Sequence, residues 1–448
     1  MDSGPTESRP GLGAGIRSAP EPDDDDTLTV WHRVYRWLAP PSPVRYLVAL
    51  ALIAVAAWGS YFAGLGLSSP HDQFDLKIYD AAVRYWTSGN ELYDYSQPDS
   101  LMGQLGFTYP PLAAVLMSPM SLLPWQVVQS LTVIAVAVAC AGFCYLLLKD
   151  SVRMRGPQGL LIVGVAASVA FLYEPIRENI SYGQVNLFLG LMIAFDVLYL
   201  ARRHPKLFGV GIGLAAAIKL TPAIFIVYLV LTKRWRPAIT AAITAAVLSF
   251  GVAVVAWNEV WNFFTSILWD TSRVGHPDSV FNQSINGFLA RLVSPDLPSR
   301  GLWALLSLAL LVYGLWRARR VYLAGDDLAG VTITGMVGLM VSPVSWTHHA
   351  VWVLPATVVL VHRAWELWGD YCTGDRAARR PLVTMVVLIV LGTGWSIEAH
   401  HYVTDRTRDW SAATWSDQLL ATLPTLWCLA VITLLPARRV LPAYTRAT

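Results

Sequence analysis

Phe74–Asp94 reads FDLKIYDAAVRYWTSGNELYD, and after a polar gap FTYPP follows at Phe107–Pro111. This polar, aromatic-rich stretch is set in a chain otherwise suited to lipid. On a helix, at about 100° per residue, Asp75, Leu76, Tyr79, Ala82, Val83 and Trp86 share one side. Lys77, Asp80 and Arg84 fall opposite, so Asp80 is expected to face away from the stripe that carries Asp75. Asp75 then has two readings: the cap that Asp often supplies at a helix start, or a carboxylate acting as a base. The consecutive prolines hold Tyr109 extended and mark a turn into an apolar run that ends at Pro124.

Outward from this stretch the composition changes. The chain has 448 residues, 55% of them hydrophobic and only 14% charged, where a soluble domain carries about 25% charge. The expectation is an all-α polytopic membrane protein. Its 19 Trp and 18 Tyr suit a chain that meets two membrane interfaces. A net charge of +3 says nothing useful about partners, and no nucleic-acid partner is expected. Candidate spans are 45–67, 126–148, 159–174, 184–201, 237–256, 301–316, 328–342, 346–362, 381–399 and 415–436. The run 207–232 is flanked by basic residues and broken at Pro222, which suggests two short segments going out and back. Together these make about twelve spans with both ends inside. In that layout 24 of the 33 Lys and Arg lie inside and eight outside, with Lys219 left over, as the positive-inside rule requires. Residues 1–44, with the acidic run Asp23–Asp26, read as a disordered cytoplasmic tail rather than a cleaved signal peptide. Residues 437–448 read as a second cytoplasmic tail.

The remaining unusual polar residues gather in the segments placed outside. EPIRENISYGQVN sets Glu174, Arg177, Glu178, Asn179, Gln184 and Asn186 around one helix junction, where interhelical hydrogen bonding is the simpler account. Lys219 lies in AAAIKLTP; a lysine this deep must pair with something or line a wet cavity, and a phosphate is a natural partner. FNQSINGF offers Asn282, Gln283 and Asn286, amides suited to sugar hydroxyls and equally to turns. SPVSWTHHA carries His348 and His349 at the start of an apolar span; neighbours on a helix point about 100° apart and do not share a metal. No nucleotide-binding loop or zinc spacing is present in the sequence, which favours a donor arriving within the membrane. No cofactor is firmly implied, although Asp72, Asp75 and Asp80 could recruit a divalent ion.

In the order DLKIYDAAVRYW, GNELYD, FTYPPLAAVL, GQVN, AAAIKLTP, NQSING, SPVSWTHH, the chain resembles the polyprenol-phosphate-mannose-dependent α-(1→2)-mannosyltransferases of actinobacteria, in the glycosyltransferase-C superfamily. The resemblance covers roughly residues 70–350. It implies one transmembrane glycosyltransferase domain, 45–436, in the plasma membrane, with extracytoplasmic loops forming the active site. It implies Asp75 as the catalytic acid residue, a histidine of the last corner at the donor site, and Tyr79 and Tyr109 among substrate contacts. Donor and acceptor would be polyprenyl-phosphate mannose and a phosphatidylinositol mannoside, lipomannan or lipoarabinomannan. On this reading Asp75, its pKa raised by apolar neighbours, takes a proton from the acceptor hydroxyl, and Lys219 with a histidine meets the leaving phosphate. A transporter or flippase of a lipid-linked sugar, and an arabinofuranosyltransferase, are the alternatives.

Overall fold

The computed structural model describes residues 47–48, 50–55, 58, 73–99, 103–149, 156–270, 273, 275–396, 410 and 413–438. Asp72, the tail 1–44, the C-terminal tail from residue 439 and most of the loop 400–414 lie outside the described residues, and the span 45–67 is described only in part.

The chain is mostly helical. Helix α1 (Phe74–Thr87) leads into a two-stranded antiparallel ribbon, β1 (Ser96–Asp99) and β2 (Gly103–Gly106), and then a short α2 (Pro111–Met117). Next come α3 (Trp125–Leu148), α4 (Gly156–Ala170), α5 (Glu174–Ser181), α6 (Asn186–Phe195), α7 (Val210–Ile218), α8 (Ile224–Leu231) and α9 (Trp235–Gly251). They are followed by α10 (Trp257–Thr265), α11 (Ile285–Val293), α12 (Arg300–Leu323), α13 (Asp327–Val341), α14 (Val353–Cys372), α15 (Arg379–Ser396) and α16 (Trp415–Leu434).

Among the described residues five helices, α3, α9, α12, α15 and α16, are long and apolar enough to cross a membrane. The 24 residues of α3 rise about 36 Å at 1.5 Å each, more than the hydrocarbon core of about 30 Å. Helix α12 exposes Leu305, Leu308, Val312 and Trp316 along one face, which only lipid would cover at little cost. Helices α4 and α5 form a further candidate, bent by 87°. Helices α8 and α13 are apolar but shorter.

The break at Lys219 has a clear geometry. Gly209 and Gly213 of α7 lie against Pro237 and Ala241–Ala245 of α9 in that order, so α7 and α9 run parallel. Helix α8, between them in sequence, therefore returns antiparallel, as Pro222 suggested. Asp196 holds the start of α7 by accepting from Gly209 N at 2.8 Å and Ile212 N at 2.9 Å, satisfying donors a helix start leaves open. Lys219 closes the other end as the C-cap.

Three local features differ from, or add to, the sequence reading. The segment before FTYPP holds a hairpin, because Pro98 and two glycines in its strands give no alternation to read. Asp80 lies on the Arg84 side of α1, away from Asp75, but is only 8% exposed: it accepts from Arg84 Nε at 2.8 Å, and Arg84 also donates to the carbonyls of Met120, Ser121 and Leu123. The corner 342–352 is not the start of a span. Pro343 keeps Ser342 extended, only Thr347–His349 forms a single turn, and α14 begins at Val353.

Candidate active site

Helix α1 is placed by α5. Gln73 N donates to Ser181 O at 2.7 Å and Leu76 N to Tyr182 O at 3.1 Å, so the end of α5 supplies acceptors to the first turn of α1. Gly183 follows at φ 70°, and a Cβ there would fall 2.5 Å from that of Leu76; glycine lets the chain turn this close and deliver Gln184 beside Asp75. Asp75 is not the cap. No side chain caps α1, and Asp75 Oδ2 accepts from Gln184 Nε2 at 2.5 Å.

Gln184 is the hub. Its amide also donates to the Tyr79 hydroxyl at 3.1 Å, and its carbonyl accepts from the Tyr109 hydroxyl and Asn186 Nδ2, each at 3.1 Å. All four of its hydrogen-bonding positions are filled, which fixes the amide's orientation. Tyr79 donates to Tyr109 at 3.2 Å, and burial raises both phenols above their ordinary value, so they act as neutral hydroxyls. Their rings pack edge-on with each other and with Phe107, the centroids 5.2–6.1 Å apart, contacts each contributing about 1 kcal/mol. Tyr93 fixes the Tyr109 backbone by donating to its carbonyl at 2.8 Å.

From Asn186 the run continues. Lys219 Nζ donates to Asn186 Oδ1 at 2.9 Å and lies 3.0 Å from His349 Nε2. With the ammonium donating, the imidazole nitrogen accepts, placing the ring proton on Nδ1. The ammonium also lies 5.2 Å over the Tyr109 ring. Asp75, Gln184, Asn186, Lys219 and His349 thus form one hydrogen-bonded chain with a carboxylate at one end and a cation near the other. Among the described residues no ion pair joins the two, and Asp75 Oδ1 has no protein partner. Burial raises the Asp75 pKa from 3.8 to about 6, moderated by the Gln184 bond and the Lys219 charge.

The two histidines part company. His349 meets Lys219, whereas His348 turns toward Glu178, its Nδ1 3.8 Å from that carboxylate, and packs on Tyr182. Their rings meet edge-on at 4.8 Å, a geometry two helical neighbours would not have. Asn179, from the same polar junction, donates to His348 O at 3.1 Å and accepts from Leu187 N, tying α5, α6 and the corner together.

Beneath Lys219 lies a cavity of about 60 Å³. Asn186, Lys219, Ser342, Ser345 and His349 line its polar end; Leu189, Ile193, Phe225, Leu339 and Trp352 are among its apolar walls.

The structure leaves other expected residues outside this run. Asn282 and Gln283 are buried with their amides committed to protein rather than presented to a sugar. Asn282 Oδ1 accepts from Ser345 N at 2.9 Å, Gln283 Nε2 donates to Val280 O at 2.6 Å, and Gln283 Oε1 accepts from Thr425 at 2.9 Å. Asn286 donates to Pro343 O at 3.1 Å. Asn282 and Asn286 hold the histidine-bearing corner from behind, and Gln283 joins them through its backbone N, which donates to Ser345 O at 2.8 Å. Glu174 is fully buried in the first turn of α5, and Arg177 is half-buried on that helix. Asp80 lies on the Arg84 side of α1, and among the described residues no three possible metal ligands come together.

Apolar helices that set a lone carboxylate and a partly buried ammonium on one polar run are the build of a polytopic membrane transferase. More particularly, the chain belongs to glycosyltransferase family 87, whose model matches residues 107–343. It is 36% identical, over 62% of its length and 68% of the relative's, to the polyprenol-phosphate-mannose-dependent alpha-(1-2)-phosphatidylinositol mannoside mannosyltransferase of Mycobacterium tuberculosis. It is 33% identical, over 68% of its length and 72% of the relative's, to the corresponding phosphatidylinositol pentamannoside mannosyltransferase of Mycolicibacterium smegmatis. No solved structure matches the chain.

Proposed function

We propose that this protein transfers mannose from a polyprenyl-phosphate mannose to a mannose hydroxyl of a phosphatidylinositol mannoside, forming an α-(1→2) bond. The observation that carries the reading is the polar run from Asp75 through Gln184 and Asn186 to Lys219 and His349, ending at an apolar-walled cavity. Asp75 Oδ1 takes the proton of the acceptor hydroxyl as its oxygen forms a bond to the anomeric carbon. The bond from that carbon to the phosphate oxygen breaks, and the electron pair leaves with the prenyl phosphate. Lys219, donating alongside His349, meets the charge that develops there. Attack opposite the leaving group inverts the centre, from a β-linked donor to an α-linked product. Gln184 keeps Asp75 oriented, and the Tyr79 and Tyr109 hydroxyls flank the approach.

The reading includes the plasma membrane as location, with α1 and the corner on its outer side, and residues 45–436 as the catalytic domain between tails 1–44 and 437–448. It also includes twelve crossings, for which the antiparallel α7–α8 pair is support. Longer mannans, lipomannan and lipoarabinomannan, extend the same acceptor chemistry. A transporter would need no carboxylate with a free oxygen beside a fixed amide, so Asp75 and Gln184 favour transfer over movement. The test is Asp75→Asn in purified protein with polyprenyl-phosphate mannose and a phosphatidylinositol mannoside. Loss of the new linkage in a folded variant is expected; retained turnover removes Asp75 from the mechanism.

A further inference from the structure

The cavity under Lys219 pairs a cation with an apolar interior, the shape of a site for an amphiphile with an anionic head. Its volume, about 60 Å³, is less than half of the roughly 150 Å³ that accommodates benzene. With so little room below the polar end, whether a five-carbon prenyl unit enters is decided by where each wall stands. Most walls are aliphatic side chains anchored within helices: Leu189 and Ile193 on α6, Ile224 on α8, Leu339 on α13. Trp352 differs. It sits just before α14, at its N-cap, with its indole lying flat against Gly335, where any Cβ would overlap the ring. It also packs on Phe225 at 5.1 Å and edge-on against Phe143 at 6.5 Å. Gly335 and Gly338, one turn apart on α13, both line the cavity, and the second faces Ile224 across it. The absent side chain at 335 is what lets the indole lie back against α13, since the ring already fills the place a Cβ would take.

We propose that Trp352, seated on Gly335, is the floor that sets the depth of this cavity and a specificity-determining residue for the first prenyl unit of a lipid phosphate. The proposal rests on the lipid-linked donor reading above. It assigns to α13 and the corner a role separate from the chemistry at Asp75: they measure hydrocarbon next to the phosphate.

The experiment measures binding of farnesyl phosphate and, separately, of inorganic phosphate to the full chain in detergent. Gly335→Ala pushes the indole into the cavity. It is expected to weaken farnesyl phosphate about tenfold while leaving inorganic phosphate unchanged. Adding Trp352→Ala to Gly335→Ala is expected to restore farnesyl phosphate to within about threefold of the parent. An equal loss for both ligands, no loss, or no rescue by the second substitution overturns the proposal. If Gly335→Ala does not fold, Trp352→Phe replaces it: about threefold tighter farnesyl phosphate with unchanged inorganic phosphate supports the floor, and unchanged affinity for both sinks it. Mannosyl transfer is assayed in the same preparations. Selective farnesyl phosphate binding without transfer in the parent chain discards the transferase reading and keeps this one; transfer with farnesyl phosphate affinity indifferent to both residues does the reverse.

Discussion

Two partly buried charged clusters sit at opposite ends of the helices, and they are built on different rules. At the α8–α9 turn and the start of α13, every cation named meets a carboxylate. Arg234 pairs with Asp327 at 2.8 Å, under the rings of Tyr228 and Tyr322, and Arg438 grips Asp326 at 2.7 and 2.8 Å. At the far end of α7, Asp75 and Lys219 are kept apart by two amides, Gln184 and Asn186. Opposite charges left in contact neutralise each other and do little beyond holding helices. Opposite charges separated by fixed dipoles remain available, one to take a proton and the other to receive an anion. The difference separates a joint from a site.

The comparison breaks most sharply at Asp75. Asp75→Asn keeps an oxygen for the Gln184 amide but no base, and turnover is expected to fall about a thousandfold, measured as initial rates of mannosyl transfer with the fold checked by thermal scan. Next is Asp326→Ala. It strands Arg438 at the other end and is expected to destabilise by roughly 3 kcal/mol while leaving the rate per folded molecule unchanged. Arg438 holds the Asp326 carboxyl below its ordinary value despite burial. That contribution is present above the unfolded value and fades only as pH falls through the folded one. A rate loss for Asp326→Ala at constant folded fraction would mean the two ends are coupled and the contrast is wrong.

Lys219→Met sharpens the same contrast from the cationic side. Its partners, Asn186 and His349, are neutral, so no buried carboxylate is orphaned. Turnover is expected to fall about a hundredfold with the melting temperature held or raised, the opposite of what Asp326→Ala does. A melting temperature that drops as it does for Asp326→Ala would place Lys219 among the structural charges.

Much of this was legible in the sequence, for definite reasons. Apolar runs such as 126–148 and 237–256 are long enough that little but a spanning helix suits them, and α3 and α9 lie there. Lys219 stood out because no other charge shares its run. Gln184 and Asn186 stood out because amides at the head of an apolar span are costly unless used. Other features depend on partners remote in sequence. Periodicity marked the more apolar face of α1, but the carbonyls of Met120, Ser121 and Leu123 that hold Arg84 on the other face lie about 37 residues away. Asn282 looked like a sugar ligand because its partner, Ser345 N, is 63 positions on. The two histidines were judged as helical neighbours, and the corner's backbone, held by those amides, is not helical.

The carboxylate's own ionisation gives two smaller effects. Because the base must be ionised, turnover is expected to fall about tenfold per unit below pH 6, read from initial rates across pH 4.5–8. The smallest effect concerns stability. The Asp75 pKa in the folded chain, about 6, lies above the unfolded 3.8, so the folded state holds the proton more tightly. That favourable contribution is complete below the unfolded value and is lost as pH rises through about 6. At pH 7.5 the folded chain therefore carries an ionised carboxylate against apolar neighbours, a cost Asn does not have. Asp75→Asn is expected to exceed the parent in stability there by about 1 kcal/mol, with the advantage gone at pH 4. Equal stability at both pH values would mean the carboxylate is well solvated, and the burial that tunes it as a base would have no basis. A base that loses activity and gains stability on the same substitution is the mark of a charge retained for chemistry, and no member of the Arg234–Asp327 cluster should behave this way.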